Sequence, residues 1–194
     1  MSDISSILDY TSTIFQEPTN ESIKSIKTKS ISSQLLTNLH QTQSIPVSGH
    51  ISVFKFNSTG FYLASGALTG QLSIFKLENG SFQALKEFND HSNSILDIAW
   101  SMNNFIATAS VDKTVRVYHL NHDSCLCALI HQDIVTSILF HPFDDRYILT
   151  GSLDSRVRIW SLEDKKVVYW NEGASNSYIT AVCFTHDASM GIIN

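Results

Sequence analysis

From residue 47 onward, apolar residues fall in short runs separated by polar turns, and the runs return at a fixed interval. TVRVYHL and RVRIWSL alternate apolar with polar positions, the pattern of a strand with one face in a core. ISVFKF, ILDIAW, IVTSILF and YITAVCF each close on an aromatic: Phe56, Trp100, Phe140 and Phe184. Between the runs, STG, LENG, MNN and HPFDDR supply turn-forming residues. When LASGALTGQLSIF, IATASVDKTVRVY and ILTGSLDSRVRIW are aligned on Phe75, Tyr118 and Trp160, those residues lie 43 and 42 positions apart. The turn position then carries Thr69, Asp112 and Asp154, and the strand before it Ser65, Thr108 and Thr150. A period of ~40 to 45 residues with several short strands per unit belongs to a β-propeller blade and not to a helical repeat. In the third unit the four strands are predicted at about 134–140, 147–152, 156–162 and 166–170, and no helix longer than a turn is expected after residue 47.

The same pattern divides the chain. Residues 47–194 read as an all-β, partial propeller with repeats at about 47–77, 85–120 and 125–162 and a partial one at 167–194. That gives three blades and the inner strand of a fourth. Propellers typically have ~4 to 8 blades, so the expectation is an incomplete ring needing further blades from missing sequence or a second chain. Residues 1–46 are rich in Ser and Thr, with isolated Ile and no Gly or Trp, and predict a disordered leader. Ile4, Ile7, Leu8, Ile14 and Phe15 stand at helical spacing, and a short amphipathic helix docking on a partner is the alternative there.

Charge and composition narrow the function. The 194 residues carry a formal net charge of −5, which supplies no general attraction to nucleic acid or an anionic membrane. Lys24, Lys27 and Lys29 form the one basic cluster. Cys125, Cys127 and Cys183 are an odd set without a disulfide framework, which favours a reducing, cytoplasmic compartment. The N-terminus lacks the basic and apolar regions of a signal peptide, and no run approaches the ~20 apolar residues of a transmembrane segment.

The repeat resembles that of the WD-repeat proteins. Their signature is a His near the start, an inner strand ending in an aromatic, a Ser/Thr-Gly/Ala-Ser strand, an Asp in the next turn and a closing Trp. The third repeat has all of it in His131, Phe140, Thr150, Gly151, Ser152, Asp154 and Trp160. The second has His91, Trp100, Thr108, Ala109, Ser110 and Asp112, with Tyr118 for Trp. The first is degenerate, with Thr69 for Asp, Phe75 for Trp and no His nine residues before Phe56.

The resemblance implies that the His, Asp, Ser/Thr and Trp of one blade form a buried hydrogen-bond chain. A buried Asp without a partner costs several kcal/mol, and a His N–H and a hydroxyl would satisfy it. Asp154 therefore calls for His131 and Thr150, with the Trp160 indole N–H in the same network, and His91, Thr108 and Asp112 repeat the set. A hydrolase triad needs the same groups but also an exposed nucleophile beside an oxyanion site, and a catalytic centre is not normally repeated on successive blades. The reading is structural: no catalytic residue, no cofactor and no metal. The enzymatic alternative is a metal site from His119, His122, Cys125 and Cys127 in HLNHDSCLC, whose spacing is not the paired arrangement of a structural zinc site. Cys125 and Cys127 are expected to share one face of an outer strand.

SVDKTVRVYHL, CLC, HPFDDRYILTGSLD and WNE, spread over residues 91–172, resemble a narrower group, the Rab-GTPase-binding WD-repeat proteins of endosomal recycling and their fungal relatives. That resemblance implies a non-enzymatic scaffold in vesicle trafficking, with other proteins including a Rab GTPase as partners and a peripheral place on endosomal or vesicle membranes. The matching residues are framework residues and assign no contact to a GTPase.

Overall fold

A computed structural model describes residues 44–45, 47, 49–172, 177–185 and 190–193. The expected leader, its helical alternative and the Lys24–Lys29 cluster lie outside the described residues, save for the leader's last few positions.

The described residues form antiparallel sheets with each strand beside its sequence neighbour. The first sheet is β1 (Ile51–Phe56), β2 (Tyr62–Ala67), β3 (Leu72–Glu78) and β4 (Ser81–Phe88). The second is β5 (Ile95–Trp100), β6 (Phe105–Ser110), β7 (Thr114–His119) and β8 (Cys127–Ile130). The third is β9 (Val135–His141), β10 (Asp144–Ser152), β11 (Arg156–Ser161) and β12 (Lys166–Glu172). β13 (Ala181–Phe184) pairs with β14 (Met190–Ile193), which adds a second strand to the expected inner strand of a fourth unit. The architecture is that of an incomplete propeller, with inner strands β1, β5, β9 and β13 side by side.

Strict meander order follows from the short turns, which leave each strand no neighbour but the next. The turn after each second strand has a residue in the left-handed region at the same place: Gly70 (φ 91°), Lys113 (φ 69°) and Ser155 (φ 65°). Only at Gly70 does space also demand glycine, because a Cβ there would stand 2.4 Å from the carbonyl oxygen of His91.

The core lies between sheets. Leu72, Ile74, Ile95, Ile98, Ile106 and Tyr118 fill the first gap. Val115, Val135, Ile138, Phe140, Ile148 and Trp160 fill the second, and Leu149, Val157, Ile179 and Val182 the third. Burying one such Ile contributes roughly 1.5 to 3 kcal/mol. Each inner strand starts its contact with a β-branched residue at one equivalent position. Ile95, Val135 and Ile179 are fully buried there, whereas Ile51 is 46% exposed.

Opposite that residue the preceding sheet has been pared to fit. A Cβ on Gly66 would lie 2.7 Å from Ile95 Cγ2, and one on Gly151 would lie 2.8 Å from Ile179 Cγ2. The middle junction carries Ala109 instead, and there the facing residue is the smaller Val135. Ala109 thus adds a Cβ where Gly66 and Gly151 have none, while Val135 lacks only the Cδ1 of Ile95 and Ile179.

Hydrogen bonds stitch the same junctions. Ser52 Oγ donates to the carbonyls of Gly66 and Ile95, and Thr136 Oγ1 to those of Gly151 (3.1 Å) and Ile179 (2.7 Å). Leu96 occupies that position in the second sheet, and Asp97 takes over by accepting the Ile138 N–H at 3.0 Å.

Candidate functional site

The residues singled out by the repeat lie where the turn after a second strand meets the loop entering the same sheet. In the second sheet they converge. His91 Nδ1 lies 2.8 Å from Asp112 Oδ2 and its Nε2 lies 2.7 Å from Thr108 Oγ1. Thr114 closes the turn by donating its N–H and hydroxyl to Asp112 Oδ1 at 3.0 and 2.7 Å, and the Ser92 N–H adds a bond to Oδ2. Burial works to raise the Asp112 carboxyl, but the donors from Thr114 and His91 outweigh it and hold it below its usual range. Burial lowers the His91 imidazole despite Asp112. A neutral ring with Nδ1–H toward the carboxylate leaves Nε2 to accept the Thr108 proton.

The third sheet differs from expectation. His131 Nε2 meets Thr150 Oγ1 at 2.9 Å and the Trp160 indole N–H donates to the same oxygen at 3.1 Å. Yet His131 Nδ1 faces the Leu129 carbonyl at 3.3 Å and not Asp154. Asp154 is claimed by Arg158, whose two terminal nitrogens reach its two oxygens at 3.0 and 2.8 Å, with N–H bonds from Gln132 and Arg156. The expected His131–Asp154 bond is thus replaced by an ion pair whose side chains are 8% and 5% exposed.

The cause is one turn residue. Thr114 brings a hydroxyl that saturates Asp112, so Arg116 turns away toward Cys125 Sγ, 4.0 Å off. Arg156 stands where Thr114 does and has no hydroxyl, which leaves the carboxylate to Arg158. Burial then pulls His131 down to about 4, and the Arg158 guanidinium pushes the same way. In the first sheet Thr69 replaces the Asp and Ser65 Oγ is buried without a hydrogen-bond partner.

Chemically, these groups hold turns. Thr108 and Thr150 are fully buried and their oxygens are engaged by His91, and by His131 and Trp160, so neither hydroxyl faces an approaching substrate. Sequence reasoning missed Arg158, Asp97 and the glycine–isoleucine fit. The Arg-for-Thr difference between positions 156 and 114 was the available signal for the first.

The four residues of the alternative metal site do not converge. His119 Nε2 donates to the Asn103 carbonyl at 3.1 Å, while Nδ1 accepts the Asn121 N–H at 3.1 Å. Cys125 lies ahead of β8 and not on a shared strand face with Cys127, and its Sγ donates to the Cys127 carbonyl at 3.2 Å. Among the described residues no group of three or more His, Cys, Asp and Glu is placed to hold a metal ion. No helix of the described residues is long and apolar enough to cross a membrane.

Comparison with known proteins agrees with the strand pattern. The family described as WD domain, G-beta repeat matches residues 82–119 and 123–161. Each match takes the outer strand of one sheet and three strands of the next, so sequence repeat and sheet are staggered by one strand. WD repeat-containing protein 44 of Xenopus laevis is 44% identical over 108 residues, covering 55% of this chain and 12% of that protein. The 2-deoxy-glucose resistant protein 2 of Saccharomyces cerevisiae is 48% identical over 82 residues, 42% of this chain and 10% of the other. Mouse Jouberin is 28% identical over 138 residues, 66% and 13% respectively. The chain thus spans only 10% to 13% of the length of these relatives. Its blade order, turn carboxylates and buried hydroxyl–imidazole bonds are similar to those of WD-repeat proteins, and the two repeats matched to that family lie within residues 82–161.

Proposed function

We propose that the chain is a non-catalytic scaffold for other proteins and acts as a Rab-linked adaptor in membrane trafficking. One observation carries the scaffold reading: the imidazoles, hydroxyls and carboxylates that the second and third repeats bring together are spent on one another or on Arg158 inside the sheets. His91, Thr108 and Asp112, with His131, Thr150, Asp154 and Trp160, serve the frame, and rigid sheets leave their loops to bind. The trafficking role rests on the resemblance of residues 91–172 to the Rab-GTPase-binding WD-repeat proteins, and the 44% identity to WD repeat-containing protein 44 supports the WD-repeat frame beneath it. It implies a cytoplasmic protein recruited to the surface of endosomes or vesicles. Titration of the intact protein against a panel of Rab proteins, each loaded with GDP and with a GTP analogue, tests it. Binding confined to the GTP form of one or a few Rabs is expected, and failure of every Rab in both states removes the adaptor role and leaves the scaffold.

A further inference from the structure

β8 is four residues long, whereas the outer strands of the flanking sheets, β4 and β12, have eight and seven. Its pairing stops at Val117–Cys127, and the last two residues of β7, Tyr118 and His119, have no β8 partner. A groove of about 530 Å³ opens there between the second and third sheets, within the ~300–1,000 Å³ of typical binding clefts. Its walls are apolar: Phe105, Val117, Leu126 and Cys127 from the second sheet and Leu162 from the third. Phe105, Cys127 and Leu162 pack on the core yet stay only partly buried, so the apolar surface continues out of the core into the groove. Burial pushes the Cys127 thiol up, which keeps this wall uncharged at neutral pH.

The rim is charged, and its cations are the weaker party. Arg146 lines the groove but is held by Asp144, with Nε 3.0 Å from Oδ1 and a terminal nitrogen 2.8 Å from Oδ2. Lys165 lines the groove with Asp145 and the exposed Glu163, and Asp164 and Lys166 flank it in sequence, so with Arg146 paired to Asp144 the acids outnumber the bases by one. Asp145 holds Asn103 of the second sheet at 2.6 Å, which fixes that carboxylate at the junction of the two sheets. An apolar slot under an acidic excess favours a partner that is apolar at one point and basic around it.

We propose that this groove docks a basic segment of another protein, which inserts one large apolar side chain between Leu126 and Leu162 and sets Lys or Arg against Asp145 and Glu163. The proposal rests on the scaffold reading and names the chemistry of one partner. The probe is a fluorescent synthetic octapeptide with a central Leu-Trp pair between Lys-Arg flanks, titrated into the full chain and followed by anisotropy. Saturable binding in the micromolar range is expected, weakened about tenfold by Glu163→Lys and by Leu126→Glu. Glu87→Lys, the same charge change on the outer strand of the first sheet, should leave binding within about twofold. In a Cys183→Ser background, saturating peptide should slow alkylation of Cys127. The proposal is overturned by no binding up to about 1 mM, by equal binding of a peptide with Glu flanks, or by equal weakening from Glu87→Lys. Unchanged unfolding midpoints separate a lost site from a lost fold. A scaffold that still captures its Rab after failing every peptide arm would lose the groove and keep its function.

Discussion

Asp154 sets its two carboxylate oxygens against the guanidinium of Arg158, at 3.0 and 2.8 Å, while its counterpart Asp112 faces His91 at 2.8 Å. The two repeats have the same His, Thr, Asp and Arg and wire them differently. Arg158→Leu leaves a buried carboxylate unpaired and should cost roughly 3 kcal/mol. Arg116→Leu should cost under about 1 kcal/mol, because the Arg116 Nε is buried without a partner already. Double-mutant cycles read from urea midpoints should give a coupling of about 1 to 3 kcal/mol for His91 with Asp112 and under about 0.5 for His131 with Asp154. Equal couplings would show that both repeats share one network.

Acid should loosen the molecule before the turn carboxylates of Asp112 and Asp154, which their donors hold low, take up protons. His131 is depressed to about 4 in the fold and titrates near 6.5 when unfolded, so the unfolded chain binds the extra proton between those values. Stability is therefore complete above pH 6.5 and falls toward pH 4, by roughly 3 kcal/mol from this residue. His91 is lowered too and adds a loss of the same sign. Urea midpoints across this range should flatten in His131→Gln, at lower overall stability. An unchanged slope would mean that His131 does not drive the effect.

The junction fit can be tested by moving one carbon. Gly151→Ala should cost roughly 1 to 3 kcal/mol, since the added Cβ would stand 2.8 Å from Ile179 Cγ2. Ile179→Val alone should cost about 1 kcal/mol. The double variant sets Ala against Val as at Ala109 and Val135, and should regain only part of the Gly151→Ala cost, because Val keeps a γ-methyl there and Ser137 Oγ would still stand 2.8 Å from the new Cβ. If Ile179→Val adds its own cost on top, the two positions do not compensate.

Thr150 holds two partners where Trp160 holds one. Trp160→Phe loses the indole bond at 3.1 Å and should cost about 1 kcal/mol. Thr150→Val strands both the His131 ring nitrogen and the indole N–H and should cost roughly 2 to 3 kcal/mol. Thr69→Ala, in a turn with no carboxylate to lose, should stay within about 0.5 kcal/mol. Thermal midpoints in that order support the ranking, and Thr150→Val no worse than Trp160→Phe refutes it.

The strands could be read in advance because period and alternation are local properties of the chain. β9, β11 and β12 begin within a residue of their predicted starts, and the aromatic closing each inner strand sits where the spacing put it. Partner choice could not be read the same way. Positions 116 and 158 are both Arg, and only the hydroxyl at Thr114 decides which of them reaches a carboxylate. Cys125 likewise fell off its expected strand because β8 starts late, and nothing in CLCALI marks where pairing begins. Contacts between sheets join residues some 40 positions apart, beyond any window in which a periodic pattern can be judged.

A chain of near-copies risks joining the wrong neighbours as it folds, because every inner strand resembles the others. The paired sizes at the junctions act as keys against that error. Ile179 brought to the Ala109 socket would overpack, and Val135 brought to Gly66 or Gly151 would leave a hole a methyl group wide. The first and third junctions both set a glycine against an isoleucine, so by size it is the middle junction, with Ala109 and Val135, that differs from its neighbours.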